Sequence, residues 1–90
     1  MAYTSGRLFA GEKTGVTTTA VQIATDQSNI REVLLQSDPT NGANMLVGNS
    51  IAQEIVLTAG QSITVPIISL SLIWVKMASG TGTANWLARD

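Results

Sequence analysis

Between Ser62 and Ile67 the chain alternates without a slip, with Ile63, Val65 and Ile67 on one parity and Ser62, Thr64 and Pro66 on the other. A period of two belongs to an extended strand with one face on a core, and no helix reproduces it. Similar short runs, rich in β-branched residues, recur along the chain at a spacing of about eight to twelve residues. They predict strands over 16–25, 30–37, 45–47, 51–57, 62–67, 70–77 and 83–88. Residues 30–37 are ambiguous, because Ile30, Val33 and Leu34 also fit helical spacing. The run is short and stops at Asp38-Pro39, where proline drives the preceding residue out of helical space, so the strand is preferred.

The breaks between these runs are turn chemistry. Asp38-Pro39-Thr40-Asn41-Gly42 is the strongest loop signal, since Asn-Gly supplies the positive φ of a tight reversal. Gly48-Asn49-Ser50 and Thr58-Ala59-Gly60-Gln61 turn the chain again, and Ala78-Ser79-Gly80-Thr81-Gly82 reads as a flexible hairpin loop. Pro66 cannot donate to a ladder, so its strand lies at an edge or ends there. Residues 1–15 carry three glycines among small polar residues and read as a flexible N-terminal arm, not a packed element. The expected fold is all-β: a small antiparallel β-sandwich or jelly-roll-like barrel of about seven short strands over residues 16–90, preceded by that arm.

Size and composition narrow the function. At this mass the chain buries only about 63% of its unfolded surface, enough for one small core. Its 12% charged residues are about half the share of an ordinary soluble domain. Such a chain gains by covering its surface with copies of itself or with a larger partner, so a homo-oligomer or assembly component is expected. With no cysteine and no histidine, it lacks disulfides, thiolate zinc sites, the cysteine nucleophile and the commonest general base, and an enzyme is not expected. The basic residues Arg7, Lys13, Arg31, Lys76 and Arg89 are scattered, which argues against a nucleic-acid partner. Residues 1–15 lack the apolar segment of a secretory signal, and the apolar stretch 65–75 is too short to span a bilayer, so synthesis in the cytoplasm and no membrane partner are expected.

Individual residues add little catalytic chemistry. Asp38, Asn41 and Asn44 recur every third position, but the spacing departs from that of a calcium loop and is better explained by Asx turns. Gly80-Thr81-Gly82 lacks the third glycine and following helix of a dinucleotide loop. A carboxylate pair such as Glu32 and Glu54 would have to be assembled by strand pairing. No metal ligand set, cofactor site or catalytic residue is expected. Residues 70–77 are the more informative segment: Leu70, Leu72, Trp74 and Lys76 share one parity and Ile73, Val75 and Met77 the other, so both faces are largely apolar. One small core cannot receive both, which makes Ile68, Leu70, Leu72 and the near-terminal Trp86 candidates for a subunit interface. Trp74 is expected in the core.

The second half carries a resemblance. Leu57-Thr58-Ala59-Gly60-Gln61-Ser62-Ile63, followed by Leu70-Ser71-Leu72-Ile73-Trp74-Val75, resembles the turn-strand and strand patterns of small tailed-bacteriophage virion proteins of the capsid decoration (cement) type. Ser37-Asp38-Pro39-Thr40-Asn41-Gly42 followed by Met45-Leu46-Val47-Gly48 is similar to another stretch of the same proteins. The likeness covers roughly residues 18–88. It implies a compact β-sandwich, often a homotrimer, that sits on the outer surface of the virion capsid and clamps neighbouring major capsid (coat) protein subunits. On that reading Tyr3, Arg7, Leu8 and Phe9 of the arm are the candidate capsid contacts. The alternative role for the same module is a tail, neck or fibre-associated component that binds host-surface carbohydrate, with Trp74 or Trp86 as the stacking platform.

Overall fold

The alternation at residues 62–67 becomes the rim of a sheet. In a computed structural model, which describes residues 8–25 and 29–90, the strands are β1 (Leu8–Val16), β2 (Val21–Gln22), β3 (Glu32–Ser37), β4 (Met45–Gly48), β5 (Gln53–Leu57), β6 (Ser62–Val65), β7 (Trp74–Met77) and β8 (Gly82–Arg89). They form two four-stranded antiparallel sheets, ordered β1-β8-β3-β6 and β2-β7-β4-β5. The chain moves between sheets at every connection except β4–β5, winding as a double-sheet jelly roll. The expected sandwich forms, with one strand more than expected. β6 is an edge strand that ends just before Pro66, as a residue without an N–H donor requires.

The core lies between the sheets. Val33 and Leu35 of β3, Met45 and Val47 of β4, Val75 and Met77 of β7, and Ala84 and Ala88 of β8 point inward at alternate positions and are buried. Ser37 is the buried polar member of β3. Its N–H donates to Gln61 O at 3.0 Å, its carbonyl accepts from Gly60 N–H at 2.8 Å, and its hydroxyl accepts from Asn41 Nδ2 at 2.9 Å.

Four expectations are corrected. Residues 8–15 are not a loose arm: they build most of β1, the longest strand, which pairs with β8 from Leu8↔Arg89 to Val16↔Gly82. Backbone bonding holds this edge strand while most of its side chains stay exposed, so no hydropathy alternation marks it. Consequently the strand expected over 16–25 shrinks to the two residues of β2. Residues 70–77 are not one strand either. Leu70–Leu72 is a 3-10 turn capped by Ser69, whose hydroxyl accepts from Ser71 N–H at 3.3 Å. That turn breaks the parity assumed for Leu70 and Trp74: Leu70 is fully buried, whereas Trp74 is half-buried and stands on the parity opposite Val75 and Met77. Finally, residues 78–81 do not close a hairpin, because β7 and β8 belong to different sheets.

The β4–β5 connection is the same-sheet hairpin. Asn49 Oδ1 accepts from the N–H groups of Ile51 and Ala52 at 2.8 and 2.9 Å, and the register shifts between Val47 and Gly48. Ile51 and Ile55, which share a parity with the buried Leu57, are exposed; Gln53 takes the buried place, its Nε2 donating to Asn49 O at 2.6 Å.

Candidate docking end of the sandwich

The strand register sorts the connections to two ends. One end collects 17–20, 38–44, 58–61 and 78–81. The other collects the start of β1, the end of β8, residues 23–25 and 29–31, the 49–52 hairpin and the 66–73 crossover. The two ends differ in chemistry.

The first end is polar and cross-bonded. Asp38 accepts from Thr40 N–H at 2.9 Å, from Thr40 Oγ1 at 2.6 Å and from Asn85 Nδ2 at 3.0 Å. These bonds, the Thr40 hydroxyl foremost, hold the Asp38 carboxyl below its ordinary pKa. Asn41 joins Ser37 to Thr83, and the Gln61 side chain accepts from Thr58 N–H at 3.0 Å. The Asp38–Asn41–Asn44 spacing is thus spent on turn and arch bonding. Among the described residues no group of three or more His, Cys, Asp or Glu side chains is placed to hold a metal ion.

The second end presents aliphatics. Ile51 at the hairpin tip is 89% exposed, Ile68 70%, Leu8 68% and Leu72 51%. Two local devices put them there. The Asn49 side chain folds the 49–52 turn so that Ile51 projects from its apex. The Ser69-capped 3-10 turn sends Leu70 into the core and Leu72 outward, and the Ile30 N–H···Ile68 O bond of 3.1 Å anchors the crossover against the chain entering β3.

The interface candidates therefore divide. Ile68 and Leu72 are brought to one exposed end. Leu70 is corrected from an interface candidate to a core residue, because the 3-10 turn sends it inward. Trp86 is half-buried on the inward parity of β8, and its ring lies across Gly11 of β1, where an added Cβ would come within 2.6 Å of Cζ2. Its Nε1 is buried without a hydrogen-bond partner. Of the arm candidates, Leu8 is exposed at this end and Phe9 packs against the core, while Tyr3 and Arg7 lie outside the described residues. Ile51 was not among the contact candidates because residues 51–57 read as one strand; the Gly48-Asn49-Ser50 turn signal beside it was the available clue.

The outer face of one sheet, among the described residues, carries shallow relief. Two open depressions of about 180 Å³ each lie on the β1-β8-β3-β6 sheet, on either side of Leu34 and Leu87. Glu32 and Glu54 stand on different sheets, and Glu32 accepts from Arg89 Nε at 2.7 Å. Among the described residues no helix is long and apolar enough to cross a membrane.

No protein-family model, curated protein or solved structure matches this chain.

Proposed function

We propose that this chain is a structural virion protein that binds the outside of an assembled phage capsid and stabilises it by clamping neighbouring coat subunits. The carrying observation is the asymmetry of the sandwich: one end bonded to itself through polar side chains, the other offering Leu8, Ile51, Ile68 and Leu72 to a partner. A domain with so few charges gains by covering such a tip. The eight-strand jelly roll, an architecture found among viral capsid and lectin domains, is compatible with the role. So is the shallow relief, which falls short of the roughly 300 Å³ of a small-molecule cleft.

The mechanism is mass action. A protein that binds the closed shell and not its dissociated subunits stabilises the shell by its binding free energy. In a homotrimer, three apolar tips engage adjacent coat subunits together, so modest patches add through effective concentration. Residues 1–7, which lead directly into Leu8 at the docking end, supply further contacts through Tyr3 and Arg7.

A carbohydrate-binding tail or fibre module is the second reading, favoured by the polar side chains of Gln36, Ser62 and Asn85 that line one outer-face depression, although the Trp86 ring itself turns inward. The Trp86 ring is already covered by Gly11 on one side, which weakens it as a sugar platform. Co-sedimentation with undecorated capsids, against free coat subunits, tests the main reading. Saturable pelleting with shells alone supports it. No pelleting, with tryptophan fluorescence that responds to glycans, replaces it with the second.

A further inference from the structure

The outer face of the β1-β8-β3-β6 sheet is organised in three rows set by strand register. Ala10, Leu87, Leu34 and Thr64 form the middle row. Leu8, Arg89 and Glu32 form the row nearest the chain end, and Glu12, Asn85, Gln36 and Ser62 form the third. Leu34 and Leu87 are exposed at the centre. The flanking rows are tied across the strands by the Arg89–Glu32 ion pair at 2.7 Å and by Asn85 Nδ2 donating to Gln36 Oε1 at 3.1 Å. An apolar strip inside a polar rim is the anatomy of a protein interface.

We propose that this face binds a second copy of the chain about a two-fold axis that lies between β8 and β3 and runs parallel to them. A two-fold interface must complement itself, and this face does so row by row. Rotation about that axis lays β8 over the partner's β3 and β1 over the partner's β6. Leu87 then meets the partner's Leu34. Arg89 meets the partner's Glu32, and Asn85 meets the partner's Gln36. At the margin Ala10 falls over the partner's Thr64, and Glu12 over the partner's Ser62, a carboxylate against a hydroxyl donor. No like charges face each other. The other in-plane two-fold, perpendicular to the strands, sets Arg89 over the partner's Asn85 and Glu32 over the partner's Gln36, so both ions are desolvated without a new counter-charge.

The size of the face sets the strength. Four strands about 4.8 Å apart and three side-chain rows about 6.6 Å apart cover roughly 400 Å² per copy. That is about half the roughly 800 Å² per partner of a standard specific interface, so the pairing is weak, reversible and concentration-dependent. It shares only Leu8 with the capsid reading, whose other contacts Ile51, Ile68 and Leu72 lie off this face.

Charge swaps test it. In sedimentation velocity, the mass of the unaltered chain should double between micromolar and submillimolar concentration, to a dimer from a monomer or to a face-paired dimer of trimers from a homotrimer. Arg89→Glu and Glu32→Arg should each weaken pairing about tenfold or more, because like charges then meet across the axis. An equimolar mixture of the two variants should restore it, since each supplies the charge the other lacks. An ion pair acting only within one chain cannot produce that rescue. The chain has no cysteine, so Ala10→Cys and Thr64→Cys copies can also be mixed and treated with a bis-maleimide spanning the roughly 10 Å between packed sheets. The mixture should cross-link in preference to either variant alone. A chain that stays monomeric throughout, an oligomer indifferent to both swaps, or a mixture that neither pairs nor cross-links better than its components overturns the proposal.

Discussion

Asn41 grips the backbone of Thr83 with both of its polar groups, its Nδ2 donating to Thr83 O at 3.0 Å and its Oδ1 accepting from Thr83 N–H at 2.9 Å. The same Nδ2 reaches Ser37 Oγ at 2.9 Å. One side chain therefore does the work of a ladder rung between the arch that leaves β3 and the strand that enters β8. Asn41→Ala removes three hydrogen bonds at a half-buried site, each of net value about 1 kcal/mol, with water replacing some of them. A loss of about 2 kcal/mol is expected, which for a domain of this size lowers the melting temperature by about 8–16 °C. Thermal unfolding followed by circular dichroism measures it.

Asp38 stands beside that staple and makes the same end pH-sensitive. Its pKa is depressed by the Thr40 hydroxyl, the Thr40 N–H and Asn85, in that order. A depressed folded-state value means that the stabilisation is fully present above the ordinary aspartate pKa of about 3.9 and is lost as pH falls through the folded value. Melting temperature should fall more steeply for the unaltered chain than for Asp38→Asn between about pH 5 and about pH 2. Parallel slopes would count against the assignment.

Gly48 closes against backbone, not against a movable side chain. A Cβ there would sit 1.9 Å from Ala52 O and 2.8 Å from Gln53 Cα, inside the bulge that starts the β4–β5 hairpin. Gly48→Ala must open that hairpin and should cost more than about 3 kcal/mol, among the largest single-site effects in the domain. Chemical denaturation with urea reads it. Gly42→Ala, with nothing within 4 Å of its added Cβ, is the control.

Leu70 and Leu72 were indistinguishable by strand parity and are separated by the 3-10 turn. Leu70→Ala should destabilise by about 2–5 kcal/mol, since the buried side chain leaves a cavity. Leu72→Ser should change stability by no more than about 0.5 kcal/mol, as for an exposed position. In the capsid co-sedimentation assay the second substitution, combined with Ile51→Ser and Ile68→Ser, should weaken shell binding without changing the fold.

These contrasts mark what the residues disclose locally and what they do not. The alternation of β6 is legible because Ile63 and Val65 face the core while Ser62 and Thr64 stay exposed, whereas β3 fits helical spacing as well and the Trp86-Leu87-Ala88 run hides the period of β8. Turn positions are equally plain from Asp38-Pro39 and Thr58 to Gln61, but Asn41 and Gly42 do not take the positive φ expected of them, because the reversal is made at Pro39-Thr40 by Asn41 N–H donating to Asp38 O. Whether a turn closes a hairpin or carries the chain to the opposite sheet depends on distant partners such as Thr83 for Asn41, and local chemistry is the same in both cases. β1 escaped for a related reason. Its stability comes from backbone pairing with β8, and Phe9 and Val16 alone among its large apolar residues turn inward. The docking end was half legible: Ile68 and Leu72 stood out as surplus aliphatics, whereas Ile51 required knowledge of where the hairpin turned.

The position of β1 changes how the N-terminal segment must be tested. Deleting residues 1–14 was the natural experiment for a loose arm, but residues 8–14 form most of an edge strand and Gly11 carries the Trp86 ring. That deletion strips the ladder from β8, uncovers the indole and exposes a new sheet edge, so it should lower the melting temperature and promote aggregation. Deletion of residues 1–7 leaves every β1–β8 pair in place. Its melting temperature should stay within about 4 °C of the full chain, which corresponds to less than about 1 kcal/mol. If Tyr3 and Arg7 contact the coat protein, the shorter deletion should still weaken pelleting with capsids. Unchanged pelleting would remove those two residues from the docking surface and leave it to Leu8, Ile51, Ile68 and Leu72.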